Sequence, residues 1–226
     1  MEDSTTMAYV FDADGTLIDS VPAHIKFCND QNEEGGFGLK AIDTRDREAV
    51  RNVIGLTLDE LFRNYGFPEL EVTRLKKVHA KIFPFDPRYK SRVFPGVNAM
   101  LRILKQTGNP IAILTLNRRE TVARDLGRAN CRYIDVFIDG DHIKDYYEGS
   151  KGNALHSLIS DDWKVNPGLV TCIGDRELDY EAARQAECNF IGVSYGWGFN
   201  PNERRFPVVS SVPELESKLR NGSLVR

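Results

Sequence analysis

Short apolar runs that close on acidic or turn residues punctuate this chain. The first covers residues 8–11 and ends on Asp12, followed by the turn pair Asp14 and Gly15. Further runs at 111–115, 133–138, 169–173 and 190–193 have the length and the β-branched and aromatic content of strands. Helical patterns fall between most of them, at 96–107 (closed by Gly108 and Pro110), 118–126, 152–159 and 177–186. Apolar strands separated by helices predict a parallel sheet covered on both faces. Ligands of such sheets collect outside the carboxyl ends of the strands. Asp12, Thr115 and Asp175 all stand at such ends.

From about residue 20 to residue 90 the alternation stops, and helical pieces take over. One runs over 45–54 and stops at Gly55. Thr57 and Glu60 then form a capping box for a second, with Leu58, Leu61 and Phe62 as its apolar stripe and Gly66 behind it. Leu70, Leu75, Val78 and Ile82 mark a third. A connection this long, set directly after the first strand, reads as a small helical subdomain, because long structureless connections are rare. The expected division is a core of 8–19 and 94–226, a helical domain of 20–93, and an N-terminal extension of 1–7.

Composition narrows the classes. The chain has 226 residues, 41% hydrophobic and 28% charged, with a formal net charge of −3. That balance gives no electrostatic footprint for nucleic acid and no basic face for an anionic membrane. No apolar run approaches the roughly 20 residues of a membrane span. Residues 1–7 are polar and acidic, unlike a signal peptide, so a cytoplasmic location is expected. Cys28, Cys131, Cys172 and Cys188 are scattered and show no zinc-ligand spacing with His24, His79, His142 or His156. Ordinary packing is the expectation for all eight.

The chemistry sits at the strand ends. Asp12 and Asp14 are two residues apart, and Gly15 lets the backbone turn so that amides of the Gly15-Thr16 loop face a phosphate. A divalent ion near Asp12 keeps it ionised while Asp14, off the metal, holds a proton, which divides acid and base roles. Asp175 could ligate a hard cation, with Asp179 one helical turn later orienting bound water. N-terminal helix capping by acids is the competing account of that pair. Thr115 and Asn117, with the backbone of Leu116 between them, offer a hydroxyl, an amide and N–H groups to an anion. Lys151, behind Ser150 as N-cap, puts a cation at a helix start, which is unfavourable unless an anion shares the site.

In order, Phe-Asp-Ala-Asp-Gly-Thr-Leu-Ile-Asp (11–19), Ile-Leu-Thr-Leu-Asn (113–117), Lys151 and Gly-Asp-Arg-Glu-Leu-Asp (174–179) resemble the four motifs of the haloacid dehalogenase superfamily of phosphatases. Residues 50–58, 94–97 and 191–198 are similar to its phosphoglycolate phosphatase branch. The resemblance implies a Rossmann-like α/β core with a parallel sheet and an inserted α-helical cap. It implies that Asp12 attacks phosphorus to form an aspartyl-phosphate, that Asp14 is the acid and then the base, and that Thr115, Asn117 and Lys151 hold the phosphoryl oxygens. It also implies magnesium on Asp12, the Asp14 carbonyl and Asp175, with Asp179 acting through water.

The chain departs from the branch in two places. Gly152 follows Lys151 where proline is common, and Leu116 separates Thr115 from Asn117. Asp14 argues against the dehalogenase and phosphonate-cleaving branches, which generally lack a carboxylate there. A mutase transferring phosphoryl groups on sugar phosphates is the alternative with the same site; a non-catalytic protein on the same fold would have lost Asp12, Asp14 or Asp175. The insertion point beside the catalytic strands favours a cap that closes over a small soluble phosphate ester, with 55–57 as the surface meeting the leaving group. A monomer or small homo-oligomer is expected.

Overall fold

Strand β1 (Ala8–Phe11) is buried at every position, which explains why its sequence shows no alternation. Tyr9 and Phe11 pack on one side with Leu101, Leu104 and Leu215, whereas Ala8 and Val10 pack on the other with Leu155, Leu158 and Ala183. Helices cover both faces, so each face of the strand needs an apolar side chain.

The computed structural model describes residues 6–54 and 57–220. After β1 come the two-residue β2 (Ile18–Asp19) and four helices, α1 (Val21–Gly35), α2 (Arg47–Val53), α3 (Leu58–Tyr65) and α4 (Glu69–Ile82). The chain continues through β3 (Arg92–Val93), α5 (Val97–Gln106), β4 (Ile111–Leu114), α6 (Arg119–Leu126), α7 (Arg128–Cys131) and β5 (Val136–Ile138). Then follow α8 (Gly140–Tyr146), α9 (Lys151–Ser157) with a π-helical continuation at Leu158–Trp163, β6 (Val170–Gly174), α10 (Glu177–Gln185), β7 (Asn189–Val193), β8 (Val208–Val209) and α11 (Val212–Arg220).

Six strands form one parallel sheet in the order β5-β4-β1-β6-β7-β8. The alternation of strands and helices and this sheet make the fold α/β and Rossmann-like. Phe11 is in register with Ile113 of β4 on one side and Ile173 of β6 on the other. The residues that follow these strands, Asp12, Thr115 and Asp175, therefore emerge side by side at one edge of the sheet. Because β4 and β6 flank β1 and the chain order runs away from it in both directions, this edge is the switch point where α/β sheets bind ligands.

Two compact units divide the chain. One holds the described residues up to Asp19 and from Arg92 onward, and the other is Ser20–Ser91. The helical unit contains the capping box, with Glu60 N donating to Thr57 Oγ1 at 3.3 Å and Thr57 N to Glu60 Oε2 at 3.2 Å. Its interior is aromatic: Phe62, Phe83 and Tyr89 are fully buried around Phe27. His24 and His79 both stack on Phe83, and their ring nitrogens meet at 3.2 Å. Gly55 and Leu56, part of the candidate leaving-group surface, lie outside the described residues. No helix among the described residues is long and apolar enough to cross a membrane.

Candidate active site

β1 delivers Asp12 into the interior, where its own N–H donates to the Ile173 carbonyl at 2.8 Å. Lys151, the first residue of α9, reaches it from the neighbouring helix. Lys151 Nζ donates to Asp12 Oδ1 at 2.6 Å and to Asp179 Oδ1 at 2.5 Å. Ser150 caps that helix, accepting from Asn153 N at 3.1 Å, so the turn that aims the lysine is fixed. Lys151 is buried, and burial alone would depress its pKa. The two carboxylates outweigh that and hold it above the ordinary lysine value, so it remains an ammonium.

Asp175 follows β6 and is inaccessible to solvent. Its Oδ2 accepts Trp197 N–H at 2.9 Å and Gly198 N–H at 3.3 Å, while Oδ1 is buried without a partner. Burial pushes its pKa up to about 6, with Arg176, Trp197 and Gly198 pulling the other way and Asp179 adding to the rise. Asp179, in the first turn of α10, spends Oδ2 on Arg176 N at 3.1 Å and Oδ1 on Lys151. Gly15 closes the turn after Asp14 at φ +81°, and a Cβ there would lie 2.2 Å from Asp175 Oδ2. Only glycine lets the first strand's loop come so near the second acid. The Gly15 amide itself donates to Ile18 O at 2.7 Å, so the residue supplies shape at this turn and its N–H is already used. Thr16 is fully buried, with its hydroxyl unpaired.

Thr115 is buried at the end of β4, and its Oγ1 accepts Asn117 N at 3.1 Å, which leaves the hydroxyl proton free to donate. Leu116 is half exposed. Asn117 donates from Nδ2 to Asp14 Oδ2 at 3.1 Å. The structure thus gathers Asp12, Lys151, Asp175 and Asp179 into one buried cluster and sets Asp14 with Asn117 beside it.

Ligand oxygens of Asp12, Asp175 and Asp179 lie within 4.8 Å of one another. Burial pushes Asp12 well above the ordinary carboxylate range; Lys151 opposes this, and Asp179, Asp14 and Asp175 add to it. One lysine cannot neutralise these acids. A hard divalent cation fits here on two observations: an all-oxygen donor set and the orphaned, buried Asp175 Oδ1. Asp12 and Asp175 are the residues that would hold it.

The loop at 195–198 was not read from the sequence as part of the site. Besides the two N–H groups on Asp175, Tyr195 OH donates to Thr16 O at 3.0 Å and Trp197 Nε1 to Asp19 Oδ1 at 2.9 Å. Its signals are the branch-like stretch 191–198 and Gly-Trp-Gly after a strand end, and neither assigns a role, because the two bonds to Asp175 come from backbone amides.

The sequence pattern of haloacid dehalogenase-like hydrolases matches residues 9–193. Phosphoglycolate phosphatase of Synechococcus elongatus is 32% identical over 210 residues, covering 92% of this chain and 90% of that one. Phosphoglycolate phosphatase of Nitrosococcus oceani is 28% identical, covering 93% and 95%. Among solved structures, a haloacid dehalogenase-like hydrolase from Streptococcus pneumoniae superposes with a TM-score of 0.73 at 18% identity, over 96% of this chain and 99% of that one. A predicted phosphatase from Clostridium acetobutylicum gives a TM-score of 0.71 at 23% identity, with coverage of 96% and 99%. These two likenesses speak to the fold.

Proposed function

This chain belongs to the haloacid dehalogenase-like hydrolase family, and from that premise we propose that it hydrolyses small phosphate monoesters through an aspartyl-phosphate on Asp12. The observation that carries the reading is the cluster itself: Lys151 bonded to both Asp12 and Asp179, with Asp14 outside that cluster and bonded to Asn117. One carboxylate is set against a cation and the other against a neutral amide, which suits a nucleophile and an acid/base.

The Asp12 carboxylate attacks phosphorus, the bond to the leaving oxygen breaks, and Asp14 gives that oxygen its proton. Asp14 then takes a proton from water as the water attacks the phosphoryl group, and Asp12 departs as carboxylate with release of inorganic phosphate. Lys151 and the Thr115 hydroxyl hold the phosphoryl oxygens while charge is redistributed over them. Magnesium, held by Asp12, the Asp14 carbonyl and Asp175, would supply neutralising charge for the phosphoryl group. Asp179 anchors Lys151 and borders the same site.

Phosphoglycolate is the favoured substrate because proteins named phosphoglycolate phosphatase align over nine-tenths or more of both chains. The helical unit Ser20–Ser91 is proposed as the cap that selects small soluble esters. A phosphate-release screen over phosphoglycolate, nucleoside monophosphates and sugar phosphates, ranked by kcat/KM, tests the assignment. Release from a small ester with magnesium supports it; isomerisation of a sugar phosphate without net release, or a phosphopeptide turned over far faster than every small ester, would overturn it.

A further inference from the structure

We propose that Asn117 is a positioning residue for Asp14, one that holds Asp14 Oδ2 and leaves Oδ1 to face the leaving oxygen of the substrate. The proposal rests on the phosphatase reading above and assigns Asn117 a task different from gripping the phosphoryl group.

Each polar group of Asn117 has a partner. Its N–H donates to Thr115 Oγ1 at 3.1 Å, and its carbonyl accepts Gly140 N–H at 3.0 Å. Its side-chain Oδ1 accepts Arg118 N–H at 2.8 Å, which fixes the amide's orientation: the oxygen is spent on its own chain, so the NH2 end must point outward. That end lies 3.1 Å from Asp14 Oδ2. The backbone cannot relax away from this arrangement, because Gly140 packs so closely that a Cβ there would lie 2.1 Å from the Leu116 carbonyl oxygen. Two strand ends, those of β4 and β5, therefore clamp the residue that touches Asp14.

Leu116 explains why. With one residue interposed after Thr115, the Asn117 side chain meets the carboxylate of Asp14 instead of standing next to the threonine hydroxyl. Asp14 is only half buried and makes no other hydrogen bond among the described residues, so this bond is what selects its rotamer. The amide N–H to Oδ2 is charge-assisted while Asp14 is a carboxylate and remains an ordinary hydrogen bond to the carboxyl C=O when Oδ1 carries the proton. Because Oδ2 is the acceptor, the proton passed to the leaving oxygen sits on Oδ1. A general acid contributes only when its proton lies within hydrogen-bond reach of the leaving atom.

The consequence concerns the leaving group. An alkoxide leaves only with the acid's help, whereas 2,4-dinitrophenolate leaves unaided. Loss of positioning should therefore fall on alkyl esters. Two variants test it: Asn117→Ala, and the isosteric Asn117→Asp, which keeps the acceptor for Arg118 N–H but offers Asp14 no donor. Rates are normalised to folded enzyme by thermal melts. The expected result for both is a fall in kcat/KM on an alkyl ester such as phosphoglycolate of about 10–100-fold, a fraction of the 10²–10⁴ a general acid supplies. On 2,4-dinitrophenyl phosphate the fall in kcat/KM, which ends at departure of the leaving group and leaves out the later hydrolysis that Asp14 also assists, should be under about threefold, and the inhibition constant of inorganic phosphate should be unchanged in Asn117→Ala.

Equal losses of kcat/KM on the two esters, or weakened binding of inorganic phosphate by Asn117→Ala, would overturn the positioning role and return Asn117 to the phosphoryl group. A wild-type enzyme inactive on both esters would instead sink the phosphatase reading itself.

Discussion

Replacing Lys151 with methionine keeps an unbranched side chain one atom shorter and removes the cation that Asp12 and Asp179 share. Its Nζ lies 2.6 Å from one carboxylate and 2.5 Å from the other, out of contact with bulk water. Deleting one member of a buried ion pair costs about 3–5 kcal/mol, chiefly because the charge left behind has no partner. Asp12 can avoid part of this by binding a proton. Burial holds its pKa above the ordinary range against the pull of Lys151, and without the lysine it rises further. A carboxylate whose folded pKa is raised penalises the fold fully above that folded value and not at all below its unfolded value, about 4. The loss in Lys151→Met should thus grow as pH is raised and shrink toward about pH 4. Urea unfolding of the metal-free proteins across that range measures it. Turnover should fall as well, by about 10²–10³, as when one oxyanion contact is removed. A loss under about 1 kcal/mol at the alkaline end is what an exposed pair gives, and would refute the buried-triad argument.

Asp175, pushed up to about 6 by burial, must ionise to hold a cation. In the metal-free protein its raised pKa destabilises the fold progressively as pH climbs from about 4 through 6, so added magnesium should raise Tm more at about pH 7.5 than at about pH 5; equal shifts would contradict this. Stripping the metal should abolish turnover, and calcium should restore it poorly, since the larger ion takes more oxygen ligands; full activity after chelation would contradict the oxygen-ligand reading. Gly15→Ala combines a left-handed φ of +81° with a Cβ 2.2 Å from Asp175 Oδ2. Strain and overpacking together should cost about 2–5 kcal/mol in a urea titration, with weaker magnesium binding, and a wild-type midpoint would show that the close approach does not matter.

Much of the core is legible because its strands are buried on both faces, so burial writes itself into sequence as unbroken apolar runs. β1 coincides with the run at 8–11, and β4, β6 and β7 fall within a residue of theirs. The run at 133–138 overreaches: Tyr133 and Ile134 donate back to Asn130 and Cys131 at the end of α7, so apolar residues that serve a turn look like the start of β5. α1 escapes notice because its apolar positions mix with buried Gln31 and Asn32. Those polar groups are meaningful only in three dimensions, where Asn29 and Asn32 side chains pin the backbone of Ile42 and Leu39. The site divides the same way. Acids at strand ends announce themselves, while Trp197 and Gly198 act through backbone N–H groups that any residue possesses. Likewise, nothing in the order of residues indicates that Asn117 meets Asp14 from the next strand.

The account stands or falls on covalent phosphorylation of Asp12. Enzyme turning over a small ester in magnesium should be quenched in acid, reduced with labelled borohydride, which converts an acyl phosphate to an alcohol, and mapped by peptide mass spectrometry. The label should appear at Asp12, only when substrate is present, and be absent from Asp12→Asn. Sustained phosphate release with no label at Asp12, or with the label on Asp14 or Asp175, would contradict the assignment.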